Sequence, residues 1–140
     1  MAEKHFSKFV NSNLSRLSPI IKIKRAYEKP LKKDGFRILI DRLWPRGLTK
    51  EEAALDEWLQ DLAPTSALRT WFGHDPEFWE EFKKRYKSEL RKNKAAEHFF
   101  ENHEDHKRIT LLYAAKDSEH SHALVLQEYL QSLYDQYKSQ

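Results

Sequence analysis

Two polar segments that contain cationic side chains follow apolar runs, and both have the residue types needed to hold a negative charge. Residues 41–47 read Asp-Arg-Leu-Trp-Pro-Arg-Gly, and residues 114–118 read Ala-Ala-Lys-Asp-Ser. Two guanidinium groups on a short segment that contains a proline suit bidentate recognition of phosphate or carboxylate. The pattern therefore indicates a site for a small anionic or phosphorylated molecule.

The candidate residues of this site have two predicted roles. Those expected to bind the ligand are Arg42, Trp44, Arg46, Arg69, Lys116 and His122. Those expected to transfer a proton are Asp41, His74 and Asp117. Two alternatives stay open: Trp44 as a structural plug in the core, with Arg42 paired to a neighbouring carboxylate, and Asp41 and Asp117 as simple ion-pair partners of nearby cations.

Recognised metal, cofactor and nucleophile motifs are absent from the sequence. His103-Glu104-Asp105-His106 and His120-Ser121-His122 lack the i, i+4 spacing of a helical ligand pair. The chain contains no cysteine, which excludes disulfides, thiolate nucleophiles and Cys-type zinc sites. It also contains neither a glycine-rich phosphate loop nor a nucleophile elbow. The sequence predicts no metal and no cofactor, and it leaves open whether a reaction is catalysed.

Charge and hydropathy limit the classes of partner. The 140 residues have a net charge of +3, of which residues 1–19 contribute +2, so the remainder is nearly neutral. Such a body lacks the single-sign field of a strong nucleic-acid binder. A nucleic-acid-binding or regulatory module and a protein-interaction domain therefore remain as alternatives to the small anionic ligand. No apolar run approaches the roughly 20 residues that span a bilayer, so we expect a cytoplasmic protein.

The predicted elements form a single α/β domain over residues 20–140, in the order β-β-α-α-α-α-β-α. Strands are expected at residues 20–27, 36–41 and 109–114, in a small, partly parallel sheet of three to four strands packed by helices. Residues 1–19 form a basic extension with the spacing of a short amphipathic helix. Ligands bind beyond the carboxyl ends of parallel strands, so the two polar segments are expected to face one another.

Four helical regions are expected between the second and third strands. The first, residues 49–62, begins with a capping box of Thr49 and Glu52, and Leu55, Trp58, Leu59 and Leu62 give it an apolar stripe. The others are expected at residues 66–72, about 76–91 and 94–102, and a final helix at about 119–137 follows the third strand.

Several of these segments resemble one known family. Residues 41–47, Leu68-Arg69 with Trp71-Phe72, residues 111–117, and His122-Ala123 with Val125-Leu126 are similar to the YeaO-like family of uncharacterised bacterial proteins, domain of unknown function 488. The resemblance covers about residues 20–133 and implies a cytoplasmic α/β domain, with no established activity. Ser121 differs from the asparagine expected at that position.

Overall fold

A single parallel sheet forms the centre of the molecule. The computed structural model describes residues 19–139, with side chains up to residue 136. The four strands are β1 (Ile20–Arg25), β2 (Phe36–Leu39), β3 (Glu57–Trp58) and β4 (Arg108–Tyr113). They lie in the order β1-β4-β2-β3, and each neighbouring pair is parallel. The predicted α/β class is confirmed, with a sheet that is parallel throughout rather than in part.

The helices pack around this sheet. They are α1 (Lys50–Ala53), α2 (Ser66–Phe72), α3 (Trp79–Arg91), α4 (Lys94–Glu97), α5 (Phe99–Asn102) and α6 (His122–Ser139), with 3-10 turns at Lys32–Asp34, Gln60–Leu62 and Pro76–Phe78. Helix α2 ends as predicted at Gly73, which has a φ of 55°. The predicted helix at residues 94–102 is two short helices.

Strand β4 occupies the interior of the sheet because its side chains are apolar on both faces. All its residues after Arg108 are buried. Successive side chains of a strand point to opposite faces, so Leu111 packs in the main core with the helices and Leu112 packs in a second, smaller core. Ala26 and Leu39 complete that smaller core, and Trp44 packs against it.

The predicted helix at residues 49–62 is wrong beyond its first turn. The Thr49–Glu52 capping box is present, but α1 ends at Ala53, and Ala54 is left-handed with a φ of 46°. Buried Arg37 donates to the carbonyl oxygens of Ala53 and Ala54 at 2.7 and 3.0 Å. These carbonyls are then engaged outside the helix, and the chain continues into the edge strand β3 beside β2. The apolar residues of this segment have helical spacing, but the segment is not an α-helix beyond Ala53.

The start of α6 is also later than predicted. The Asp117 carboxylate accepts hydrogen bonds from the amides of Glu119 and His120 at 2.9 and 3.1 Å, which makes a turn where the helix was expected. The predicted N-terminal amphipathic helix lies outside the described residues. Within residues 19–139, none of the helices has both the length and the apolarity that a bilayer crossing requires.

Candidate functional site

A cavity of about 860 Å³ lies beyond the carboxyl ends of β1, β4 and β2. We call it the strand-end cavity. The three strands are parallel neighbours, so the segments that follow them meet at one edge of the sheet. All nine predicted site residues line this cavity: Asp41, Arg42, Trp44, Arg46, Arg69, His74, Lys116, Asp117 and His122. Their spatial association is therefore observed, whereas their individual roles remain predictions.

Three of the cationic residues have free side chains. Arg46, Arg69 and Lys116, which we call the rim cations, are exposed. Their charged groups make no ion pair or hydrogen bond with other residues of the described part of the chain. Each comes from a different segment: the loop after β2, helix α2 and the loop after β4. Unpaired cations on three separate segments leave positive charge available at the cavity.

Arg42 and Arg25 instead bond to the backbone of the cavity walls. The Arg42 Nε and Nη2 atoms donate to the carbonyls of Pro64 and Ala63, each at 3.2 Å. The Arg25 side chain donates to the Ala114 and Ala115 carbonyls at 2.8 to 3.3 Å. Sequence reasoning missed Arg25, although its place at the end of β1 was a usable signal. Because their guanidinium groups already bond the backbone, both residues stabilise the loops and have fewer donors left for a ligand.

Trp44 makes the contacts of a structural residue. Its indole Nε1 donates to the Leu48 carbonyl at 2.6 Å, and its ring meets that of Trp58 edge-on at 5.4 Å. It also packs against the smaller core. These contacts match the structural alternative, although Trp44 also lines the cavity. Its indole nitrogen is already bonded, so only the ring face remains for a ligand.

Asp41 and His122 form a partly buried pair at the inner end of the cavity. Asp41 Oδ2 accepts a hydrogen bond from the Ala114 amide at 3.0 Å, and Oδ1 lies 3.4 Å from His122 Nε2. The same Nε2 lies 2.9 Å from the Ile40 carbonyl oxygen. A carbonyl only accepts, so Nε2 holds the proton. This arrangement links the ends of β2 and β4 to the first residue of α6.

The pKa values of the pair move toward one another. Burial raises the pKa of Asp41, more than the nearby His122 charge and the Ala114 amide lower it. Burial lowers the pKa of His122, although the Asp41 carboxylate opposes the shift. Positive charge on Arg69 and His74 lowers the pKa of both groups. Both shifts favour the uncharged form of each group.

His74 and Asp117 lie at the edge of the cavity. His74 is exposed and has a φ of 58°, an uncommon conformation for a residue with a side chain. The Asp117 carboxylate contacts His120 Nδ1 at 2.8 Å. This hydrogen bond is the main reason that the pKa of Asp117 is lowered. A carboxylate with a lowered pKa and its acceptors occupied is a poor proton donor.

The inner wall of the cavity was not predicted. It includes the rings of Phe72 and Phe82, which stack at 4.4 Å, and it includes Ser121. Ser121 is buried, and its Oγ has no hydrogen-bond partner among the described residues. Residues 19–139 also contain no group of three or more His, Asp or Glu side chains arranged to hold a metal ion. The cavity is thus a charged rim around a largely apolar interior.

Comparisons with known proteins place the chain among uncharacterised bacterial sequences. The family model described as "Inactive DUF488-N3 subclade" matches residues 20–140. The uncharacterised protein YeaO of Escherichia coli K12 is 39% identical over 113 residues, which cover 81% of this chain and 98% of YeaO. Uncharacterised proteins of Mycobacterium bovis and Mycobacterium tuberculosis are 36% identical over 110 residues, 79% of this chain and 92% of theirs. No solved structure matches the chain at a significant level.

Proposed function

Since the chain belongs to the YeaO-like family of DUF488 proteins, in a subclade described as inactive, we propose that it binds a small anionic molecule, such as a phosphorylated metabolite, in the strand-end cavity. The observation that supports this proposal is the set of rim cations. Arg46, Arg69 and Lys116 line one cavity and form no ion pair within the described part of the chain. Unpaired guanidinium and ammonium groups bind phosphate and carboxylate through charge-assisted hydrogen bonds.

The formal charges of the lining residues support the same proposal. Two carboxylates line the cavity, Asp41 and Asp117, against five cationic side chains, those of Arg25, Arg42, Arg46, Arg69 and Lys116. Asp41 is partly buried, and its Oδ2 atom already accepts a hydrogen bond from the Ala114 amide. Asp117 bonds His120 and the backbone of the following turn. Positive charge therefore exceeds negative charge at the cavity opening.

Binding without catalysis is the function that we favour. The subclade description favours it, and so do the bonds that already engage Asp41 and Asp117. Proton transfer by Asp41, His74 or Asp117 stays a prediction from the sequence. A cytoplasmic location, which the family resemblance implied, belongs to the proposal as well.

Calorimetric titration and thermal denaturation test this proposal. The probes are inorganic phosphate, pyrophosphate and a panel of phosphorylated metabolites and nucleotides. We expect Arg69→Ala and Arg46→Ala each to weaken binding by roughly tenfold or more, the usual loss with a hydrogen bond to a charged group. Binding of any probe at a hundred times its Kd stabilises the fold by about 2.7 kcal/mol.

The matched control is Lys84→Ala, which removes one positive charge from the exposed side of α3, outside the cavity. Its affinity is expected to stay within about twofold of the unmodified protein, because screening weakens distant exposed charges. Equal losses in Lys84→Ala and Arg69→Ala would show that binding is non-specific. Binding of oligonucleotides, with strong salt dependence and no binding of the small anions, would favour the nucleic-acid alternative instead.

A further inference from the structure

The interior of the strand-end cavity limits the chemical class of the ligand more closely than the charge of the rim cations does. We infer that the ligand is an organic anion with an apolar body, aromatic or aliphatic, and that a bare inorganic anion or a polyhydroxylated phosphate is a poor match. This inference rests on the proposed function and adds the chemical class of the part of the ligand that faces inward. It follows from the volume, the walls and the placement of the polar groups.

The volume exceeds what an inorganic anion needs. Cavities of about 300–1,000 Å³ bind drug-sized organic molecules, and the strand-end cavity measures about 860 Å³. A phosphate ion held by the rim cations would leave most of this space to water. The size therefore favours a ligand whose body extends from the rim into the interior.

The walls are built largely from apolar groups. Phe72 and Phe82, which are 6% and 2% exposed, form the side toward the main core. The other apolar contributors are Leu43, Pro45, Ala63, Pro64, Ala114 and Ala115. Several of these residues are small, so the space is bounded by backbone and short side chains. Such walls bind hydrocarbon by removing it from water.

Four polar atoms of the interior are already bonded or buried, so they offer no partners to a ligand that has many hydroxyls. Asp41 Oδ2 and His122 Nε2 already bond the protein backbone. Asp41 Oδ1 and Ser121 Oγ lack hydrogen-bond partners among residues 19–139, but both atoms are buried beneath the surface and present almost no accessible area. The hydroxyl groups of a sugar phosphate would then lose water without gaining partners. The cationic groups of Arg46, Arg69 and Lys116 are exposed, so the anionic end of the ligand is expected at the opening.

Calorimetric titration with four probes tests the inference: inorganic phosphate, ribose 5-phosphate, 1-naphthyl phosphate and uncharged 1-naphthol. We expect 1-naphthyl phosphate to bind at least about tenfold more tightly than either inorganic phosphate or ribose 5-phosphate, because a buried ring adds apolar area. We expect 1-naphthol to bind more weakly than 1-naphthyl phosphate, because it lacks the charge that the rim cations recognise.

Two variants locate the apolar contribution. Ala115→Leu enlarges a wall side chain and so fills part of the cavity. Leu43→Asn makes an exposed part of the wall polar and should not affect folding. Both are expected to reduce the ratio of 1-naphthyl phosphate affinity to inorganic phosphate affinity. The matched control is Ala67→Leu, the same substitution at an exposed position of α2 outside the cavity, where the ratio should not change.

The outcomes separate this inference from the proposed function. If inorganic phosphate, ribose 5-phosphate and 1-naphthyl phosphate bind equally well, the apolar body is refuted while anion binding stands. An unchanged affinity ratio in both Ala115→Leu and Leu43→Asn would refute it as well. If 1-naphthol binds as tightly as 1-naphthyl phosphate, or if no anion binds at all, the proposed function fails and the inference fails with it.

Discussion

Replacing Asp41 by alanine is expected to lower the free energy of unfolding. Asp41 Oδ2 accepts a 3.0 Å hydrogen bond from the Ala114 amide and so links the ends of β2 and β4. Ala114 is only partly exposed, and an amide left without a partner in such a place costs about 1–3 kcal/mol. In a domain of this size, each kcal/mol lowers Tm by about 3–4 °C. The expected decrease in Tm is therefore about 3–12 °C.

Asp41→Asn is the matched control because it keeps an oxygen that accepts from the Ala114 amide. It also removes a charge that burial disfavours, as the raised pKa of Asp41 indicates. Its loss of stability is expected to stay below about 1 kcal/mol, within the range of a single neutral hydrogen bond. Urea denaturation followed by circular dichroism measures both variants at neutral pH.

A second measurement on the same variants follows the His122 imidazole by NMR titration. The Asp41 carboxylate raises the pKa of His122 against the effect of burial. Both Asp41→Ala and Asp41→Asn are therefore expected to lower that pKa further. Equal destabilisation by the two substitutions would refute the role of the Ala114 hydrogen bond. An unchanged pKa of His122 in both would refute the 3.4 Å proximity of the pair.

Three further outcomes are expected. Gly35→Ala should lose about 2 kcal/mol or more in urea denaturation, because Gly35 has a φ of 68° and an added Cβ would lie 2.4 Å from the Arg108 carbonyl oxygen; a loss below about 0.5 kcal/mol would contradict this crowding. Arg37→Met should lose about 2 kcal/mol or more, because it removes one of the two cations paired with Asp34 and leaves the Ala53 and Ala54 carbonyls without their donor. An Arg85→Met control breaks only an exposed pair with Glu81. The unfolded state protonates His122 near pH 6.5 but burial lowers its folded pKa, so the stability that neutral His122 provides should be lost as pH falls through 6.5 toward the folded pKa. His122→Gln should remove that part of the pH dependence, and an identical pH profile would contradict it.

The sequence predicted correctly the elements whose local residue pattern agrees with their position in the fold, such as β4 and α2. The apolar run of β4 marks an interior strand, since both of its faces are buried. Gly73 marks the end of α2 because a left-handed residue is needed there. The convergence of seven of the nine candidate residues follows from one rule, that the carboxyl ends of parallel strands lie at the same edge. The other two, Arg69 and His74, come from α2 and the loop after it. The rule needs only the right strands, and these were predicted.

The predicted helix at residues 49–62 was wrong because of contacts between distant parts of the chain. Arg37 bonds the Ala53 and Ala54 carbonyls, and no pattern within residues 49–62 reveals that the helix stops there. The bonds of Arg42 to Ala63 and Pro64 are equally remote in sequence. A sequence shows that an arginine is present but does not show whether its donors are already engaged.

The bonds from Arg25 and Arg42 to backbone carbonyls have a kinetic consequence. They fix opposite walls of the cavity, at residues 114–115 and 63–64, before any guest arrives. A cavity whose walls are already ordered loses little conformational entropy when a ligand binds. We expect different ligands to have similar association rate constants. The dissociation rate constant of each complex then determines which compound is retained.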